Sequence, residues 1–214
     1  MLHEQITIPA GQVSLEGELV LPEKAGAVVL FAHGSGSSRF SPRNNYVASV
    51  LQAAGIGTLL FDLLTREEDR DYDMRFDIAL LTRRLLAATE WVRINPSTHS
   101  LSIGYFGAST GAAAALQAAA EIGGNISAVV SRGGRPDLAG VPALTRVSAP
   151  TLLIVGGEDH GVIELNQAAY AHLGCDKQLA IIPGATHLFE EPGTLEQAAK
   201  TATAWFARHA GKHG

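Results

Sequence analysis

Six short apolar runs rich in β-branched residues, separated mostly by stretches with helical spacing, constrain this chain more than any other feature. The runs cover residues 27–32, 58–61, 101–106, 127–131, 151–155 and 178–182. Helical patterns occupy 42–54, 74–93, 110–122, 163–173 and 194–209, with start signals at Ser41 before Pro42 and at Asp73 before Met74. Alternation of this kind predicts a mostly parallel sheet with helices on both faces, an α/β fold. Two alternating segments at 5–8 and 13–21 precede it, and they read as an antiparallel edge hairpin turning around Pro9-Ala10-Gly11-Gln12. The pattern repeats one kind of unit with no linker, so a single domain over 1–214 is expected.

The 46% hydrophobic and 17% charged residues suffice for a sizeable buried core. A net charge of −5 offers no electrostatic footprint for nucleic acid or an anionic membrane, so neither is expected as a partner. No stretch reaches the roughly 18 apolar residues of a membrane span, and the first residues lack the pattern of a secretory signal, which makes a cytoplasmic location the expectation. One cysteine, Cys175, excludes an internal disulfide. The histidines show no H-E-x-x-H or comparable spacing, so neither a metal nor another cofactor is expected. The charged cluster Arg66 to Asp71 reads as a solvated loop. Nothing in the sequence sets the oligomeric state.

Ligands of open α/β sheets bind beyond the carboxyl ends of the strands, which directs attention to the residues just after each apolar run. Gly107-Ala108-Ser109-Thr110-Gly111 lies between a predicted strand and a predicted helix. Glycines there permit a strained turn that presents a serine hydroxyl to a substrate carbonyl. Such a serine needs a base, and the base needs a carboxylate that fixes its tautomer. Asp159 comes after the run at 151–155, and His187 after the run at 178–182 through Pro183-Gly184-Ala185-Thr186. Glu158 competes with Asp159, and His160 and His33 compete with His187, but Asp159 and His187 are the better placed. Donors for a developing oxyanion are expected from the backbone of Thr110 and of Ser35, in Gly34-Ser35-Gly36. The same loop lacks the lysine and spacing of a phosphate-cradling P-loop.

These residues, with His33-Gly34, Gly156-Gly157-Glu158-Asp159 and Val162 beyond it, resemble the α/β-hydrolase superfamily and within it the dienelactone hydrolase-like group, over nearly the whole chain. The resemblance implies Ser109 as nucleophile, Asp159 as acid and His187 as base. The namesake enzymes carry a cysteine at the elbow, so Ser109 points away from dienelactone and toward serine-esterase chemistry. Some members of the group are fused to phosphoribosyltransferases, which implies a partner activity.

The interval from Arg132 to Pro150 is 19 residues, too short for a lid domain. An open site favours small carboxylic esters, lactones or thioesters as substrates. Arg39, Arg43, Arg132 and Arg135 all lie just past strand ends, and the first three are the expected substrate-binding residues, suited to an anionic group. The competing account pairs the arginines with Asp62, Asp137 or helix ends. Acyl transfer or perhydrolysis by the same triad, or a silent binding module on this fold, are the alternative functions.

Overall fold

A computed structural model describes residues 1–210; the last four residues of the expected 1–214 domain lie outside the described ones. The strands are β1 (Leu2–Ala10), β2 (Val13–Leu21), β3 (Ala27–Ala32), β4 (Gly57–Phe61), β5 (Ser102–Ala108), β6 (Ala128–Arg132), β7 (Thr151–Gly156) and β8 (Lys177–Ile182). They form one sheet in the order β1-β2-β4-β3-β5-β6-β7-β8. β1 pairs antiparallel with β2 and β2 antiparallel with β4, whereas every pair from β4 to β8 is parallel. The expected edge hairpin is present, with β1 longer than the 5–8 segment because its whole length pairs with β2 from Leu2↔Leu21 to Ala10↔Val13.

The helices are α1 (Pro42–Ala53), α2 (Ile78–Ile94), α3 (Thr110–Ile122), α4 (Val141–Leu144), α5 (His160–His172) and α6 (Thr194–His209). β3 and β7 are buried at every residue. Strands buried on both faces produce two cores. One, with Leu30, Leu59, Tyr105 and Val129, packs against α2 and α3, while the other, with Phe31, Phe106, Val130 and Trp205, packs against α1 and α6.

Two helix starts differ from the sequence expectation. Asp73 opens only a short 3₁₀ turn, Met74–Phe76, and α2 begins at Ile78 because the Asp77 carboxylate accepts from the Leu80 N–H at 2.9 Å. The helix expected from 163 starts at His160, directly after Asp159. Ser41 caps α1 as expected, its hydroxyl accepting from Asn44 N–H, with Pro42 in the first turn. Between β6 and β7 lie only a 3₁₀ turn, Pro136–Ala139, and the one-turn α4. Among the described residues no helix is long and apolar enough to cross a membrane.

Candidate active site

β5 ends in the middle of the sheet and hands the chain to α3 within one residue, Ser109. That residue sits at φ 50°, ψ −123°, a conformation costly for a side chain that bears a Cβ. Its surroundings hold it there. The Ser109 carbonyl accepts from Ala112 N–H at 3.1 Å and from Arg135 N–H at 3.0 Å. A Cβ on Gly107 would lie 2.5 Å from the Ala112 Cα, and one on Gly111 would lie 2.1 Å from the Ala32 carbonyl oxygen. The two glycines of the turn are therefore required by close backbone approach. The many alanines of α3, buried along its length, let the helix lie close on the sheet.

The next strand ends bring an acid and an imidazole together. The Gly157 N–H donates to Ile182 O at 2.8 Å and the Glu158 N–H to Ala185 O at 3.0 Å, which laces the loop after β7 to the loop after β8. A Cβ on Gly156 would strike the Ala185 carbonyl oxygen at 2.3 Å, so a glycine is needed for that approach. Asp159 and His187 then meet, with His187 Nδ1 2.7 Å from Asp159 Oδ2. The competing carboxylate, Glu158, faces His160 Nε2 at 3.8 Å instead. The loop beyond His187 is fastened by Glu191, whose carboxylate accepts from Thr186 N–H at 3.0 Å and from the Thr186 hydroxyl at 2.5 Å. Those bonds lower the Glu191 pKa.

His33 takes no part in this pairing. Its Nδ1 bonds to Gly34 O at 2.9 Å and its Nε2 accepts from Leu63 N–H at 3.0 Å, which fixes a neutral, Nδ1-protonated ring. Burial pushes its pKa down. The ring thus pins the loop after β3 to the end of β4. Gly34 in that loop passes so close to the elbow that its Cβ would lie 3.0 Å from Ser109 Cβ.

Ser109 and His187 line one cavity of about 270 Å³, together with Ser35, Ser37, Ser41, Arg43, Asn44 and Arg132. No hydrogen bond joins Ser109 Oγ to His187 among the described residues; in unliganded sites such bonds commonly tighten only with substrate. Thr110 is the first residue of α3, and its N–H has no acceptor among the described residues. The Ser35 N–H is adjacent, but it donates to Thr110 Oγ1 at 2.9 Å, a contact that sequence reasoning did not anticipate. Only the pairing of a small Gly-rich loop with a hydroxyl after the elbow serine hinted at it.

The arginines separate. Arg39 does not reach this cavity: its N–H donates to Asp62 Oδ1 at 2.7 Å and its guanidinium forms an ion pair with the same carboxylate, in a second cavity lined also by His33 and Thr65. The expected role of Arg39 in binding substrate finds no support in this cavity, because Asp62 at the end of β4 holds its guanidinium. Arg135 makes a bidentate pair with Asp137 at 2.9 and 2.7 Å, which raises its pKa. Arg43 and Arg132 remain on the cavity wall. Among the described residues no group of three or more His, Cys, Asp or Glu side chains is disposed to hold a metal ion.

The sequence model described as the Dienelactone hydrolase family matches residues 15–209. The chain belongs to the dienelactone hydrolase family. A crystal structure of a dienelactone hydrolase from Anabaena variabilis superposes with a TM-score of 0.95 at 56% identity, over 98% of each chain. Est1E from Butyrivibrio proteoclasticus matches with a TM-score of 0.83 over 97% of this chain and 99% of its own, at 15% identity, a likeness of fold alone. Among curated proteins, two from Mycobacterium tuberculosis strains, named provisionally as phosphoribosyl transferases, are 60% identical over 206 residues. Those residues are 96% of this chain and 46% of each relative, so the chain spans about half the length of the curated relatives it matches. Family and fold alike are those of hydrolases.

Proposed function

We infer that this dienelactone hydrolase family member is a serine hydrolase of small carboxylic esters or lactones, thioesters included. The observation that carries the reading is a serine held at φ 50° on a strand-to-helix turn, in the same cavity wall as an imidazole bound to Asp159 at 2.7 Å. Ser109 Oγ attacks the acyl carbon as His187 Nε2 takes its proton, and the carbonyl electrons move to the oxygen. Asp159 holds the Nδ1–H tautomer and stabilises the imidazolium. Collapse of the tetrahedral adduct expels the alcohol with the proton from His187, and water clears the acyl-enzyme by the same steps.

The oxyanion is met by Thr110 N–H, and by Ser35 N–H once the Thr110 hydroxyl turns aside. One well-placed donor is worth about 3–4 kcal/mol in the transition state. A cavity of about 270 Å³ suits short acyl groups, and the interval between β6 and β7 supplies no lid to wall off a long chain. The transferase in the names of the Mycobacterium relatives is assigned to their sequence beyond this match, since the shared 206 residues are the hydrolase portion.

Intact-mass analysis after treatment with a small fluorophosphonate tests the nucleophile. One adduct on the wild type and none on Ser109→Ala is the expected result. A folded wild type that takes no label overturns the reading.

A further inference from the structure

Of the four arginines at the strand ends, Arg39 and Arg135 are occupied by neighbouring carboxylates. Arg132 is not. Its side chain is buried, Nη2 reaches the Asn44 side-chain oxygen at 3.3 Å, and Nη1 is enclosed with no hydrogen-bond partner among the described residues. Phe106 and Phe189 flank the guanidinium with ring centres 5.7 and 5.9 Å away. Aromatic faces attract a cation but supply no counter-charge. Burial, and the like charge of Arg43, lower the Arg132 pKa to about 10, which leaves it protonated at neutral pH. A guanidinium enclosed without an anion is costly, and a ligand that brings the anion relieves the cost.

The rest of the cavity has the same sign. Arg43 lines it, and the carboxylate nearest to Arg43 is that of Glu190, a solvent-facing side chain 4.0 Å away. Among the described residues no acidic side chain lines the cavity. The first turn of the twelve-residue α1 borders it through Ser41, Arg43 and Asn44, and that turn holds no acidic side chain. Helix N-termini attract anions through the helix dipole and unpaired N–H groups; here Pro42 has no N–H and Ser41 holds the Asn44 N–H, so the dipole and the Arg43 N–H carry the attraction. Ser35 and Ser37 complete a wall of short polar groups. Arg132 with no acid, Arg43 with only the solvent-facing Glu190 near it and a helix N-terminus beside both favour a dianion over a monocarboxylate.

We propose that the substrate carries a phosphomonoester, bound by Arg132, Arg43 and the first turn of α1, beside the acyl carbon that Ser109 attacks. The inference rests on Ser109 as nucleophile. The phosphoryl group stays intact throughout; only the acyl–oxygen bond is broken and re-formed.

Inorganic phosphate is the probe. Its inhibition of p-nitrophenyl acetate hydrolysis is measured at constant ionic strength, beside acetate and chloride, for the wild type, Arg43→Met, Arg132→Lys and, as a control on an exposed site away from the cavity, Arg146→Met. Competitive inhibition by phosphate is expected, with acetate at least about tenfold weaker, and the inhibition constant for phosphate rising about tenfold or more in Arg43→Met and Arg132→Lys but not in Arg146→Met. Absence of competition, equal inhibition by acetate, or an inhibition constant indifferent to both cavity arginines overturns the proposal. Because Arg132 is buried, the partly exposed Arg43 carries the comparison if Arg132→Lys does not fold. Calorimetric titration of phosphate into Ser109→Ala, with fluorophosphonate labelling of the wild type, separates the two claims: labelling without phosphate binding refutes the anion site alone, and absence of labelling refutes the nucleophile.

Discussion

Replacing Ser109 by glycine should make the protein more stable, although the residue lies half-buried at the junction of β5 and α3. The serine holds φ 50°, ψ −123°. A non-glycine residue in such a region stores about 1–3 kcal/mol, and glycine adopts it freely. Glycine also gains about 0.4–1 kcal/mol of freedom in the unfolded chain, which opposes the gain. Since Ser109 Oγ makes no hydrogen bond among the described residues, removing it costs little. The net stabilisation is about 0.5–2 kcal/mol, and a chain of this size shifts by about 2–4 °C per kcal/mol. Differential scanning calorimetry should therefore show Ser109→Gly melting about 1–8 °C above the wild type. Ser109→Ala retains the Cβ, retains the strain, and should melt within about 1 °C of the wild type. Both variants lose activity. Equal melting temperatures for the glycine and alanine variants would refute stored strain at the elbow.

Asp159→Asn removes the carboxylate that meets His187 Nδ1 and should lower kcat on the order of 10⁴-fold with little change in melting temperature; a loss under tenfold would transfer the role to Glu158. Gly111→Ala places a Cβ 2.1 Å from the Ala32 carbonyl oxygen, so α3 must lift from the sheet, and urea denaturation should show a loss of about 3 kcal/mol or more. His33 is held neutral by burial and by the Leu63 N–H donated to its Nε2, so its pKa lies below the ordinary 6.5 in the folded state. The unfolded chain then binds the proton more readily, and the stability contributed by neutral His33 is present above about pH 6.5 and is lost as pH falls from there toward the folded-state pKa. Denaturation midpoints measured from pH 7.5 to 5 should fall more steeply for the wild type than for His33→Asn, and parallel curves would contradict this.

Strand ends were easy to read in the sequence because apolar runs stop where the sheet stops, and an α/β sheet concentrates its chemistry there. Ser109, Asp159 and His187 lie past three different strand ends, as their sequence positions indicated, and the structure brings Asp159 and His187 within 2.7 Å of each other. The start of α2 was harder to read, since Asp73, four residues before its cap Asp77, offers the same capping chemistry; α5 begins three residues before the expected 163, and its cap Asp159 makes no side-chain capping bond that would mark the start. The arginines were legible as a group but not one by one. Asp62 lies 23 positions from Arg39 in sequence and captures it, whereas Arg132 is enclosed by Phe106 and Phe189 and meets no acid among the described residues. Nor could the donation from Ser35 N–H to Thr110 Oγ1 be foreseen, because it spans 75 positions and depends on how closely Gly34 passes the elbow.

The glycines packed against backbone at 107, 111 and 156 divide the molecule into parts with unequal freedom to diverge. Around Ser109, a single added methyl at 107 or 111 has nowhere to go, so that turn is closed to gradual change. The cavity wall contributed by 35–44 carries a backbone constraint only at Gly36, which sits at φ 69°. A directed library confined to residues 35–44 would therefore vary the cavity wall while leaving the packed turn after β5 intact.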